Sequence, residues 1–110
     1  MMGDFIRLNY NVNNGEYLAI INGYKLKKNQ IQLELNLINE GCLFRPSPLS
    51  VKLTEHNPLY QYFRKLGYDD NEMSQIKCED LIGEKAVFTI QNEEGHTVTF
   101  SNIVNIELAN

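Results

Sequence analysis

Between Tyr17 and Lys52 the chain interleaves aromatic rings with cations: Tyr17 and Tyr24, then Lys25, Lys27 and Lys28, then Phe44, Arg45 and Lys52. Rings offer flat faces on which planar groups stack, and cations replace the counterions of a phosphate backbone. Those are the two requirements for holding a single-stranded nucleic acid. A stacked base contributes about 1–3 kcal/mol, so two or three such rings suffice for useful affinity. The same rings would also serve as core, and the elements that carry them decide between the two uses.

Other chemistry is less well supplied. Cys42, His56, Cys78 and His96 are the soft metal ligands, and no two stand at the short paired spacing of a zinc site. Asp69, Asp70 and Glu72 lack the spacing and closing glutamate of an EF-hand, so a solvated loop is expected there. There is no Gly-x-Ser-x-Gly elbow, P-loop or dinucleotide fingerprint. The expectation is a binding protein with no catalytic residues, no cofactor and no metal.

Net charge is −4, but its distribution is uneven. Residues 17–68 hold seven bases against three acids, and residues 69–110 hold two bases, Lys77 and Lys85, against nine acids. A fold could present one basic and one acidic face, or interleave the halves and cancel the difference. No run approaches the roughly 18–20 apolar residues of a membrane span, and the start MMGDFIRLNY lacks the basic-then-apolar order of a signal peptide. Two distant cysteines and the absence of Asn-x-Ser/Thr acceptors point to a reduced, cytoplasmic setting.

At 110 residues the chain suits one core and one domain. Residues 1–15, with Phe5, Leu8, Tyr10 and Val12 ending in Asn13-Asn14-Gly15, read as an arm or short strand before a domain over 16–110. In GEYLAIINGYKLK, Leu18, Ile20, Tyr24 and Leu26 fall on one parity and Tyr17, Ala19 and Ile21 on the other, with Gly23 expected to mark a bulge or bend. Ile31 to Leu37 alternates strictly and predicts a strand, paired with the first in a hairpin with a basic tip. Pro46 and Pro48 force the third strand to an edge or to a fresh start at Leu49–Leu53.

NPLYQYFRKLG predicts the helix, with Asn57 as N-cap, Pro58 in the first turn, Leu59, Tyr62, Phe63 and Leu66 on one face, and Gly67 as the stop. Tyr60 falls off that face, and an exposed tyrosine beside Arg64 suits a protein interface. A second hairpin follows, with Ala86, Phe88 and Ile90 alternating with Val87, Thr89 and Gln91, a turn at Asn92–Gly95, and Val98 and Phe100 resuming before Ile103, Val104, Ile106 and Leu108.

Strand, strand, strand, helix, strand, strand is the wiring of a five-stranded OB barrel. The expected fold is therefore mainly β, an OB-like barrel with one α-helix between strands 3 and 4. GEYLAIINGYKLK, the alternating strand, LFRPSPL, the aromatic helix ending KLG, the Leu-Ile-Gly-Glu-Lys step and NEEGHTVTFSNIVNI together resemble small OB-fold proteins of bacteriophages and mobile elements. The resemblance spans most of 15–108 and implies a single-stranded DNA-binding or replication-accessory protein. It departs at Glu107-Leu108-Ala109-Asn110, which is not the flexible acidic tail through which bacterial single-strand-binding proteins recruit partners.

Two functions follow as expectations. One is sequence-tolerant binding of single-stranded DNA in the replication or recombination of a phage or mobile element. Its residues would be Tyr17, Tyr24, Lys25, Lys27, Lys28, Phe44, Arg45 and Lys52, since in an OB fold the face of strands two and three is the usual site. The other is an accessory subunit of a polymerase, helicase or primase, with Tyr60 and Arg64 at the contact and little DNA binding of its own. The sequence leaves open whether the chain oligomerises.

Overall fold

The computed structural model describes residues 8–109. In chain order the elements are β1 (Leu8–Asn9), β2 (Gly15–Lys27), β3 (Gln30–Leu37), β4 (Cys42–Phe44), β5 (Leu49–Ser50), α1 (Pro58–Lys65), α2 (Asp70–Met73), a 3-10 turn (Cys78–Leu81), β6 (Lys85–Glu94) and β7 (Thr99–Leu108). The part of the expected arm at 1–7, including Phe5, lies outside the described residues.

Alternation in sequence becomes alternation in burial. In β3, Ile31, Leu33, Leu35 and Leu37 are buried, while Gln32, Glu34 and Asn36 are half-buried on the outer face. β2 carries apolar residues on both parities, and its bulge resolves the conflict. The register against β3 shifts between Ile21 and Gly23. Ala19 and Ile21 enter the core ahead of the shift, and Tyr24, paired with buried Leu33, faces inward after it. One extra residue exchanges the two faces of a strand, so Ala19 and Ile21 before the bulge and Tyr24 after it face inward from opposite parities, while Leu18 and Ile20 lie on the outer face and Leu26 is exposed. The bulge expected at Gly23 is present. The first half of β2 pairs with β6, from Gly15 opposite Ile90 to Ile20 opposite Lys85, and the second half pairs with β3.

The β6–β7 ladder has its own shift, between Thr89 and Ile90, which lets Ile103 and Ile106 both face the core. It also reverses the far half of β7. Ser101 is buried there, whereas Val98 and Phe100, which resume the alternation, are exposed.

The result is a mainly β fold built on one mixed sheet of seven strands, ordered β1-β4-β3-β2-β6-β7 with β5 alongside β3. The expected five-stranded closed barrel with a single helix is corrected on both counts. Pro46 and Pro48 have no N–H to offer a ladder, so the third expected strand breaks into β4 and β5, with the prolines between them. Ser47, between the prolines, donates the backbone bond that crosses to the other end of the sheet, from its N to Ser101 O at 2.8 Å. Without a ladder there, the sheet has a seam. β1 runs parallel to β4 along it, which makes the sheet mixed.

α1 forms as its caps dictate and packs on β7. Asn57 Oδ1 accepts from Leu59 N at 2.8 Å, while its Nδ2 donates to Ser50 O at 2.7 Å and Lys52 O at 3.1 Å. Leu59, Tyr62 and Phe63 are buried, but Leu66 is the C-cap and stands exposed, at odds with its expected place on the inner face. Burial and then the Glu84 carboxylate push the Tyr62 phenol up to about 12. α2 stands where a solvated loop is expected. Asp69, whose side chain accepts from Glu72 N, and Glu72, which accepts from Asp69 N, form a capping box that holds this single turn. No helix among the described residues is long and apolar enough to cross a membrane.

Candidate nucleic-acid interface

The outer face of β2 and β3 meets the seam, and a groove follows that line. Three adjoining depressions share Gln32. One of about 230 Å³ is lined by Lys25, Leu26, Lys27, Gln30 and Pro48. One of about 170 Å³ is lined by Gly23, Tyr24, Lys25, Glu34 and Arg45. The third, about 320 Å³, opens along the seam between Tyr10, Arg45, Pro46–Pro48 and Val98–Ser101. Gln32 Nε2 donates to Pro46 O at 3.1 Å and so ties the floor of the groove to the proline segment.

Of the residues expected at a binding site, the structure gathers four. Lys25 and Lys27 are exposed on the outer face, paired across the hairpin with Gln32 and Gln30. Arg45 is half-buried at the centre, and Tyr24 borders the groove with its ring partly packed against the core. Lys28 stands exposed at the hairpin tip with φ 56°, a conformation that a lysine adopts at a cost. Lys52 is exposed just beyond β5, next to Val51, whose N donates to Asn29 O at the same tip.

The remaining expected residues are elsewhere. Phe44 pairs with Leu35 on the inner face and is 0% exposed, so it is core and offers no face to a base. Tyr17 lies opposite Phe88, half-buried, with its hydroxyl donating to Asn13 O at 2.7 Å, far from the groove residues along β2. Partial burial raises its pKa, with Glu40 next in effect. Tyr60 is half-buried against the core, its hydroxyl 3.2 Å from Asp70 Oδ1, and Arg64 reaches the same carboxylate at 3.8 Å. They serve the join between α1 and α2, and the exposed tyrosine expected there is not found.

Other rings take the places of Phe44 and Tyr17. Tyr10 and Phe100 line the seam at 55% and 46% exposure, with Val98 and Leu26 exposed along the same groove. A polar cluster sets their position. Buried Ser101 Oγ donates to Asn92 Oδ1 and accepts from Val12 N at 3.4 Å, and Asn92 Nδ2 donates to Val12 O at 2.8 Å. Asn92 N donates to Asn14 Oδ1 at 2.7 Å. These bonds fasten the stretch after Tyr10 to β6 and β7. Gly95 brings the turn onto the ring of Phe100, since a Cβ there would stand 2.9 Å from Phe100 Cε2. The available signal was Ser101 with the asparagines of the arm. A serine at an inward position needs polar partners, and its neighbour Phe100 must then face out.

Charge in the groove is graded. Among the described residues, no ion pair engages Lys25, Lys27, Lys28 or Lys52. Arg45 is paired: its Nη2 and Nε lie 2.8 and 3.0 Å from Glu34 Oε1, and its Nη1 lies 3.2 Å from Tyr10 Oη. Asn22 Nδ2 donates to Glu34 Oε2 at 2.6 Å, and that bond, followed by those from Arg45, holds the Glu34 carboxyl below its usual range. At the seam end Glu93 sits opposite Phe100 and Glu94 opposite Thr99. The two halves of the chain therefore interleave within the sheet, and the basic region is confined to the β2–β3 end. Among the described residues, no three His, Cys, Asp or Glu side chains converge to hold a metal ion. Cys42 is buried and Cys78 half-buried, both as free thiols.

No family model, curated protein or solved structure matches this chain. Function is therefore read from the groove itself.

Proposed function

We propose that this chain is a sequence-tolerant single-stranded DNA-binding protein, built as an opened variant of the OB barrel and acting in replication or recombination of a phage or mobile element. Residues 15–108 support the OB reading through their strand order and the long bulged β2, which pairs with β3 over one half and with β6 over the other. The observation that carries the function is the groove. Exposed Tyr10 and Phe100 share it with Lys25 and Lys27, which combines stacking faces with phosphate-seeking cations along one open line. Along the strand, phosphate contacts would concentrate at the lysine end and base stacking at the ring end, where Glu93 and Glu94 disfavour close phosphate contact.

The test is anisotropy of a labelled thymidine oligonucleotide titrated with protein over a range of salt. Binding should weaken steeply with salt. Changing Lys25, Lys27 or Lys28 singly to Gln should lower the slope of log K against log salt by about 0.7 each, the single-strand value per phosphate contact. No binding at low salt refutes the proposal.

The accessory-subunit reading draws on a different surface. A hollow of about 220 Å³ beside α1 is lined by Phe63, Tyr68 and the acids Glu72, Asp80 and Glu84, a setting suited to a basic protein and hostile to DNA. If the natively expressed chain elutes alone and still binds DNA, the accessory reading is lost.

A further inference from the structure

The two exposed rings of the seam are held in different ways. Phe100 has the turn at Gly95 against its ring, where a Cβ would stand 2.9 Å from Phe100 Cε2. Tyr10 lies at a bend of the arm, 55% exposed. Among the described residues its side chain makes one hydrogen bond, accepted by the hydroxyl from Arg45 Nη1 at 3.2 Å. The backbone beside it is tied to the same residue, since Arg45 N donates to Asn9 O at 2.9 Å. Arg45 therefore grips both the chain next to Tyr10 and the far end of its ring.

What fixes Arg45 lies across the sheet. Its Nη2 and Nε both meet Glu34 Oε1, at 2.8 and 3.0 Å, and Asn22 Nδ2 donates to the other oxygen, Glu34 Oε2, at 2.6 Å. Asn22 is the residue that the bulge leaves unpaired, and Glu34 stands opposite Gly23, so the irregularity in β2 puts an amide beside that carboxylate. The bonds run from Asn22 to Glu34, Arg45 and Tyr10, and so from β2 through β3 to the arm. Glu34 also cancels the charge of Arg45, and a neutral pair replaces few counterions on a phosphate backbone. The planar guanidinium is rigid, which suits it to orienting a partner.

We propose that Arg45 is a positioning residue and not a phosphate contact: braced by Glu34 and Asn22, it holds the Tyr10 ring by its hydroxyl as a ready face for one base. This rests on the single-strand reading of the groove and gives one of its cations a task other than charge. A ring ordered before the strand arrives need not be ordered on binding, which contributes about two- to tenfold in affinity.

The experiment titrates a labelled thymidine oligonucleotide with the intact chain and three variants over a range of salt. Tyr10→Phe keeps the ring and every charge and removes only the hydroxyl. Glu34→Gln together with Arg45→Gln removes the brace and leaves the net charge unaltered, and the third variant combines all three changes. Each should bind about two- to tenfold more weakly than the parent, by one common factor and with the parent's salt slope, whereas Lys25→Gln lowers that slope by about 0.7. Parent affinity in Tyr10→Phe overturns the positioning role, however the other variants fold. Parent affinity in the Glu34 and Arg45 double variant overturns it too, by making the Tyr10 hydroxyl a direct contact. So does a combined loss equal to the product of the two separate losses, because residues acting through one another are not additive. A shallower salt slope in the double variant overturns it by making Arg45 a phosphate contact. In each of these cases the single-strand function stands, and failure of the parent to bind at low salt overturns both.

Discussion

Two phenylalanines separate core from surface. Phe44 is enclosed beside Leu35, and Phe100 lies in the open along the seam. Phe44→Ala should destabilise the fold by about 3–5 kcal/mol, as a cavity left in a close-packed interior does. Phe100→Ala should leave thermal stability nearly unchanged and remove about 1–3 kcal/mol of binding, the worth of one stacked base. Thermal melts and oligonucleotide titrations of the two variants check this, and a Phe100 variant that melts early but binds normally would reverse the assignment. At this scale the cations were legible and the rings were not. Lys25 and Lys27 declared themselves by sitting on the polar parity of a hairpin. Phe44, expected at the binding face, is core because of the side of the pleat that Arg45 takes, and Phe100 faces out because of a shift of register between Thr89 and Ile90; neither is written in local alternation.

The elements followed the sequence wherever a cap or a strict period specified them. β3, the bulge at Gly23 and α1 are where alternation, glycine and Asn57 put them. The break at Pro46 and Pro48 was expected, though its larger effect, a sheet that does not close, depends on what lies opposite. α2 is not legible in the sequence because four residues are too few to show a period, and the acids of its capping box have the composition of a solvated loop. Asn57 works harder than an ordinary cap, since the same amide closes the first turn of α1 and binds the carbonyls of Ser50 at the end of β5 and Lys52 just beyond it. Asn57→Ala should lower stability by about 1–2 kcal/mol, at the upper end for a lost N-cap, and Asn57→Asp should recover only the part due to the cap. Urea unfolding of both variants checks the division. Equal stability of Asn57→Ala and the parent would mean that the helix start does not depend on this residue.

Over the whole molecule, positive charge gathers at the β2–β3 end of the groove, the rings line the seam, and Glu72, Asp80 and Glu84 line the hollow beside α1. Which half of the chain each charge came from was legible in the sequence. Its final place was not, because β2 from the basic half pairs directly with β6 from the acidic half. The central claim is that a single strand lies along the line from Lys27 past Gln32 to Phe100, and amide shifts of the labelled protein during titration with a thymidine oligonucleotide test it most directly. The shifts should concentrate at Tyr10, Lys25–Gln32, Arg45, Ser47 and Val98–Ser101, and leave residues 69–84 unmoved. Shifts centred on residues 69–84, with those of the groove unchanged, would contradict it.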